Sequence, residues 1–186
     1  IIPTRITFVD IAGLVRGASK GEGLGNQFLA NIREVDAVVH VLRCFEDDDI
    51  THVEGKIDPI ADAETVETEL MLADLESLEK RLPALEKKAK GGEKEAKEAI
   101  ALVMKAVTLL REGKPARVAE LTPEERAPYS QLGLMTAKPV LYVCNVEEAS
   151  AATGNSISAR AQEMAKSQGA KSVVISAKIE EEIAQM

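Results

Sequence analysis

The sequence predicts an α/β domain with a mostly parallel sheet and an inserted antiparallel α-helical coiled-coil hairpin. Short apolar runs rich in β-branched residues alternate with helical patterns, which is typical of parallel strands joined by helices. A long charged stretch instead repeats apolar residues every three or four positions, as coiled coils do. The 186 residues suffice for one domain of ordinary size and exclude two large ones.

Composition and charge exclude several classes of protein. Hydrophobic residues make up 45% and charged residues 29%, which is typical of a soluble folded protein. No apolar run reaches the roughly 18 residues of a membrane helix, so we expect no membrane partner. The net charge of -8 argues against broad, sequence-independent binding to nucleic acid, and we expect no DNA partner. Cys44 and Cys144 each end an apolar run and are expected to be buried free thiols in a reducing, cytoplasmic compartment.

Four apolar runs predict the strands of the sheet. They cover residues 6–9, 37–42, 140–144 and 172–175. Helical spacing of apolar residues follows the first run at Leu24, Phe28 and Ile32 and precedes the last run. Because ligands of parallel sheets bind beyond the carboxyl ends of the strands, the loops after these runs are the candidate sites.

The charged stretch predicts a hairpin of two long helices. Apolar residues recur from 71 to 89 and again from 96 to 110, and Gly91 and Gly92 separate the two patterns. Pro83 is expected to kink the first helix. We therefore predict an α/β domain in two parts, residues 1–61 and 113–186, with a mostly solvated hairpin at 62–112 projecting from it; the loops described next indicate that this domain binds a nucleotide.

The glycine-rich loop after the first predicted strand has the pattern of a phosphate switch. Asp10 and Gly13 form a D-x-x-G motif, and five glycines fall within residues 13–25. An aspartate at a strand end can hold hydrated Mg²⁺, and a glycine lets a backbone N–H approach a terminal phosphate. The alternative is a flexible glycine loop without a ligand.

Two later loops have the positions of base-recognition loops. Asn145 and Glu148 form N-x-x-E after the third predicted strand, and Ser176-Ala177-Lys178 follows the fourth. Val146 and Glu148 stand where guanine-specific N-K-x-D loops have lysine and aspartate. An asparagine can pair with the N7 and 6-amino groups of adenine, so the pattern favours ATP. The alternative is an ordinary strand-end turn, where asparagine is common.

Together these segments resemble the YchF-type Obg-like ATPases, which are P-loop proteins of the translation-factor class. The similar segments are residues 8–34, 43–59, 89–97, 138–148 and 176–184. The resemblance implies a P-loop NTPase-like sheet with an inserted coiled coil, slow Mg²⁺-dependent hydrolysis of ATP, and association with the ribosome through rRNA or ribosomal protein. The family's phosphate-binding G-x-x-x-x-G-K-[ST] loop and its TGS domain do not occur in this sequence, so we expect it to be an incomplete part of a longer protein.

The resemblance also assigns roles to individual residues. Asp10 is the expected Mg²⁺ ligand through water, and Gly13 the sensor of the γ-phosphate. Leu14 stands where Ras-like enzymes orient the attacking water with glutamine, so another group is required. His52 is the candidate for that catalytic role, and its alternative is an exposed loop histidine. The nucleotide-binding residues expected around the base are Asn145, Val146, Glu148, Ser176, Ala177 and Lys178.

Three functions remain open from the sequence. The first is a ribosome-associated switch that binds and hydrolyses ATP. The second is a non-catalytic module that binds ribosomal RNA or protein, and the third is a GTPase of the ordinary Obg type. The N-x-x-E loop places the ATP-dependent switch first.

Overall fold

The computed structural model describes residues 4–11, 24–46 and 57–186 of the chain. The helices are α1 (Leu24–Glu34), α2 (Pro59–Lys90), α3 (Lys94–Arg111), α4 (Pro123–Ser130), α5 (Ser156–Ser167) and α6 (Ala177–Gln185). The strands are β1 (Val38–Arg43), β2 (Val140–Asn145) and β3 (Lys171–Ile175). Short 3₁₀ turns cover Ala116–Val118, Met135–Ala137 and Glu148–Ser150. None of the helices described is both long and apolar enough to cross a membrane.

The three strands form one parallel sheet in the order β1-β2-β3. In its register Leu42 lies opposite Cys144 and Arg43 lies opposite Asn145, while Asn145 also pairs with Ile175. The predicted α/β class and parallel sheet are therefore confirmed. Because all three strands run the same way, their carboxyl ends meet at one edge of the sheet.

One face of the sheet is covered and forms a core. Side chains of that core come from β1, β2, the start of α2 and one side of α5; they are Leu42, Cys44, Ala63, Tyr142, Cys144, Val146, Ala161 and Ala165. The free thiols Cys44 and Cys144 are buried here, as the sequence predicts. The opposite face leaves Val39, Val41 and Val173 exposed.

The strand predicted at residues 6–9 is wrong in this structure. Residues 4–11 have no regular secondary structure, and Ile6 and Phe8 are 75% and 81% exposed. A strand needs a neighbour for its backbone hydrogen bonds and a surface for its side chains. The described sheet consists of β1, β2 and β3 alone, so this apolar run has neither.

The predicted hairpin consists of α2 and α3. The chain turns at Gly91 and Gly92, where Gly92 takes a φ of 92° that glycine adopts without strain. Helix α2 continues through Pro83. The predicted domain boundary at residue 62 lies inside α2, whose first half packs against the sheet.

The hairpin is packed more extensively near the sheet than its charge suggests. Leu78, Val103 and Val107 are fully buried, and the core around them includes Ala116, Tyr129 and Leu134 of the segment that follows α3. The Tyr129 hydroxyl donates to the Ala116 carbonyl over 3.0 Å. The sequence predicted the two helices of the hairpin. It did not predict that the segment after α3, with Ala116, Tyr129 and Leu134, packs against them.

A buried carboxylate joins the hairpin to the turn before β2. Asp74 of α2 is 2% exposed and accepts hydrogen bonds from the backbone N–H groups of Met135 and Thr136 and from the Thr136 hydroxyl, at 3.0, 2.8 and 2.8 Å. Burial raises the pKa of Asp74, and these hydrogen bonds oppose that rise. The same part of α2 packs on Leu29 and Ile32 of α1.

Two cations complete this region. The Lys138 ammonium donates to the carbonyls of Ile32, Arg33 and Val35 at the end of α1, which places positive charge at a helix carboxyl terminus. Arg117 forms a buried ion pair with Glu67 over 3.0 Å. The segment before β2 is therefore bound to α1 through Lys138 and to α2 through Asp74.

We predict that Asp74→Ala destabilises the protein strongly. The substitution leaves two backbone N–H groups and one hydroxyl buried without an acceptor, so we expect the free energy of unfolding to fall by about 3 kcal/mol. Urea unfolding followed by circular dichroism measures this loss.

Glu79→Ala is the matched control for that experiment. Glu79 lies on the same helix, and its ion pair with Arg111 is exposed, so its loss should change stability by no more than about 0.5 kcal/mol. Equal losses in the two variants would contradict the role given to Asp74.

Candidate functional site

Asn145 lies at the carboxyl end of the central strand and joins two loops. Its Oδ1 accepts a hydrogen bond from the backbone N–H of Ala177 over 2.8 Å, and its backbone carbonyl accepts from the Cys44 N–H over 2.8 Å. The structure therefore brings Asn145 and the Ser176-Ala177-Lys178 loop together. Within the described ranges no hydrogen bond engages the Asn145 Nδ2 group, which remains a donor for a ligand.

Glu148 and Lys178 face each other across the same edge. The Lys178 ammonium forms an ion pair with the Glu148 carboxylate, and both side chains are largely exposed. An exposed pair of this kind contributes little to stability, about 0 to 1 kcal/mol. Because the ion pair contributes so little to stability, the Glu148 carboxylate can leave Lys178 and bind a ligand at a small cost in free energy.

Val146 lies between Asn145 and the two glutamates, and its side chain is only 2% exposed. It packs in the core with Cys44, Cys144 and Ala161. The sequence placed Val146 near the ring of a base. In this structure its side chain belongs to the core, so only its backbone is available beside a ligand.

Ser176 contributes an unusual group to the site. The residue is 3% exposed, and its Oγ is the one buried side-chain polar atom without a hydrogen-bond partner in the part of the chain that the structure describes. Ser176 precedes α6, yet its hydroxyl does not cap that helix. A buried hydroxyl without a partner costs about 1 to 3 kcal/mol, and because the Oγ itself is buried a ligand does not reach it in this conformation.

Sequence reasoning missed the group that supports the loop after β2. Asn155 donates from Nδ2 to the Cys44 carbonyl over 2.7 Å and to Glu147 Oε2 over 3.0 Å. The Ser150 hydroxyl also donates to Glu147, and these bonds lower the pKa of the Glu147 carboxyl. The Asn-x-x-Ser pattern before α5 is a capping signal that could have drawn attention to Asn155.

The phosphate side of the predicted site is mostly outside the described residues. Gly13, Leu14 and His52 are all outside the described residues. Asp10 is described and exposed, and the described ranges contain no group of three potential metal-ligating acidic, histidine or cysteine side chains. The metal and catalytic roles of Asp10, Gly13 and His52 therefore stay predictions.

The second histidine, His40, has a structural role. It lies in β1, within the run of residues 37–42 that the sequence predicts as a strand, and its ring centre is 5.6 Å from that of Tyr142. Burial lowers the pKa of His40, and the Asp62 carboxylate partly opposes this change. The imidazole of His40 therefore packs within the sheet beside Tyr142 and not at the candidate site.

These features define a class of protein: a parallel α/β domain with GTPase-type loops at the carboxyl ends of its strands and a helical hairpin inserted between them. A family model described as "50S ribosome-binding GTPase" matches residues 2–74. That match includes Asp10 and the glycine-rich loop.

Comparison with known proteins identifies the relatives more closely. The chain is 49% identical to the ribosome-binding ATPase YchF of Bacillus subtilis and 50% identical to that of Haemophilus influenzae, over 100% of this chain and 51% of each relative. The structure of the Schizosaccharomyces pombe YchF GTPase matches with a TM-score of 0.78 and 35% identity, over 95% of this chain and 49% of that one. The chain is thus homologous over its whole length to YchF proteins, and it spans about half the length of these curated relatives.

We predict that Asn145→Ala loosens the contact between the two loops. The Ala177 N–H loses its acceptor, so we expect hydrogen exchange at Ala177 to accelerate about tenfold and stability to fall by about 1 kcal/mol. Hydrogen exchange followed by NMR measures both effects. Glu148→Ala, which leaves the Asn145 bond intact, should leave the Ala177 exchange rate unchanged; acceleration in both variants would argue against this bond.

Proposed function

We propose that this chain carries the base-binding part of a ribosome-associated switch that binds and slowly hydrolyses ATP with Mg²⁺. The observation that carries the proposal is the group of polar atoms at one edge of the sheet. The Asn145 Nδ2 and the exchangeable Glu148 carboxylate belong to the loop that follows β2, and Lys178 belongs to the loop that follows β3. Such convergence at the carboxyl ends of parallel strands is where nucleotides bind in α/β sheets.

The chemistry of these groups suits adenine. The Asn145 amide can donate to N7, and its oxygen keeps a second lone pair for the 6-amino group while it accepts from Ala177. Glu148 can accept from the same amino group after leaving Lys178. A side chain one methylene longer than aspartate does not reproduce the geometry with which guanine-specific loops bind the ring N–H and 2-amino groups.

The phosphate half of the reaction rests on the resemblance and on the names of the relatives. Asp10 would hold Mg²⁺ through water, the Gly13 N–H would contact the γ-phosphate, and His52 would orient the attacking water. Bound Mg²⁺ would neutralise charge that develops on the phosphates. The ribosome as partner follows from the name of the bacterial relatives, ribosome-binding ATPase.

A GTPase is the second candidate function. The matching family model describes a GTPase, and the similar fission-yeast protein is also named as one. Base preference therefore separates the two candidates.

We predict that the protein binds ATP more tightly than GTP and that Glu148→Asp reduces this preference about tenfold. The shorter carboxylate restores the acceptor of a guanine-specific loop. Because the substitution keeps the negative charge, a change in preference reports the geometry of the carboxylate and not a loss of charge. Titration with fluorescent ATP and GTP analogues in the presence of Mg²⁺ gives both affinities. Tighter binding of GTP by the unsubstituted protein, with little change in Glu148→Asp, would favour the GTPase instead.

We predict that ATP and Mg²⁺ strengthen the association of the protein with ribosomes. A switch protein binds its partner better in one nucleotide state. ATP produces this effect if it binds more tightly to the conformation that associates with the ribosome, because it then raises the population of that conformation. Cosedimentation with purified ribosomes at several salt concentrations measures the effect. Association that is sensitive to salt but independent of ATP would favour the non-catalytic binding module.

A further inference from the structure

Asn155 occupies the point where three elements of the candidate site meet. It is the N-cap residue of α5, and its Oδ1 accepts a hydrogen bond from the Ser158 N–H over 2.9 Å. Its backbone N–H donates to the Ser158 hydroxyl over 2.9 Å, which completes a capping box. The helix therefore fixes both the backbone and the side-chain torsion of Asn155.

The other end of the same amide reaches across the site. Nδ2 donates to the Cys44 carbonyl just after β1 and to the Glu147 carboxylate in the loop after β2. The orientation of the amide is unambiguous, since the reversed amide would place NH₂ against the Ser158 N–H and oxygen against two acceptors. One side chain thus ties β1, the loop after β2 and α5 together.

The contact with Glu147 separates the roles of two adjacent acids. The Glu147 carboxylate accepts from both Ser150 and Asn155, which closes the short turn over Glu148–Ser150. Glu148 instead extends towards Lys178. Of the two glutamates in this loop, Glu147 is held by the scaffold and Glu148 is directed to the edge where Asn145 and Ser176 lie.

We propose that Asn155 is a positioning residue for recognition of the nucleotide base. It holds the Glu147 loop in register with the end of β1, so that Asn145 and Glu148 are placed before the base arrives. Less ordering is then required on binding, and affinity increases without direct contact between Asn155 and the ligand. The inference rests on the proposed function for the nature of the ligand, whereas the ordering of the loop is independent of it.

Two substitutions remove the Nδ2 donor but keep a cap on α5. Asn155→Ser retains an oxygen that caps helices well, and Asn155→Asp is isosteric but places a carboxylate against Glu147 and the Cys44 carbonyl. Ser158→Ala is the matched control, because it removes the hydroxyl half of the capping box and leaves both Nδ2 contacts available.

The test combines hydrogen exchange without nucleotide and ATP affinity measured on the intact protein. In both Asn155 variants we expect the amides of Ser150, Ala151 and Gly154 to exchange about tenfold faster and the Kd for ATP to rise about tenfold. The rate at saturating ATP should stay within about twofold, because Asn155 does not touch the reacting atoms. Ser158→Ala should leave the Kd unchanged.

Three results would overturn the inference. Wild-type exchange in Asn155→Ser would show that the Nδ2 contacts do not order the loop. Faster exchange with an unchanged Kd would reduce Asn155 to a structural role, and an equal loss of affinity in Ser158→Ala would trace the effect to the helix cap. A fourth result, an unsubstituted protein that binds no nucleotide, would overturn the proposed function together with the inference. It differs from normal binding by both the unsubstituted protein and its Asn155 variants, which would overturn the inference alone.

Discussion

The buried Asp74 carboxylate is the interaction on which the arrangement of the chain depends. Its three hydrogen bonds fix the turn at Met135 and Thr136 on the side of α2, and β2 begins only a few residues later. A carboxylate transferred from water into this environment is strongly disfavoured unless such donors receive it. The hydrogen bonds of Asp74 therefore hold the turn before β2 against α2 and restrict the relative position of the long helix and the central strand.

At the opposite end of the sheet, short polar contacts connect the loops next to the core residues Cys44, Cys144 and Val146. The Asn145 carbonyl binds the Cys44 N–H, the Ile175 carbonyl binds the Val146 N–H, and Asn155 links Cys44 to Glu147. Each bond is worth only about 0.5 to 1.5 kcal/mol, so their main effect is geometric. They fix the starts of the loops after β1, β2 and β3 relative to one another. A binding site at the end of a parallel sheet requires such fixed loops.

Local patterns predicted those parts of the fold that local forces determine. Alternating helices and β-branched runs indicated β1, β2 and β3, and the three- and four-residue spacing indicated α2 and α3. Residues 6–9 carry the same strand pattern, yet pairing is a non-local property that the pattern does not contain. The motif selected Asn145 and Glu148, whose role in binding stays a prediction. The inward direction of Val146 depends on the register, and the reach of Asn155 to Cys44 spans 111 positions, so the motif contains neither.

The one unpaired buried polar side chain among the described residues lies at this edge of the sheet. Asp74, Thr136 and Ser158 are buried and fully engaged, as native proteins normally require. Ser176 is the exception within the described ranges, and it lies next to Ala177, whose N–H binds Asn145. Among the residues that the structure describes, the other buried side-chain polar atoms have partners, so the Ser176 hydroxyl carries a local cost next to the Asn145–Ala177 contact. That cost is about 1 to 3 kcal/mol for a buried hydroxyl, and it is not recovered by capping, because the Ser176 side chain does not bind the first turn of α6.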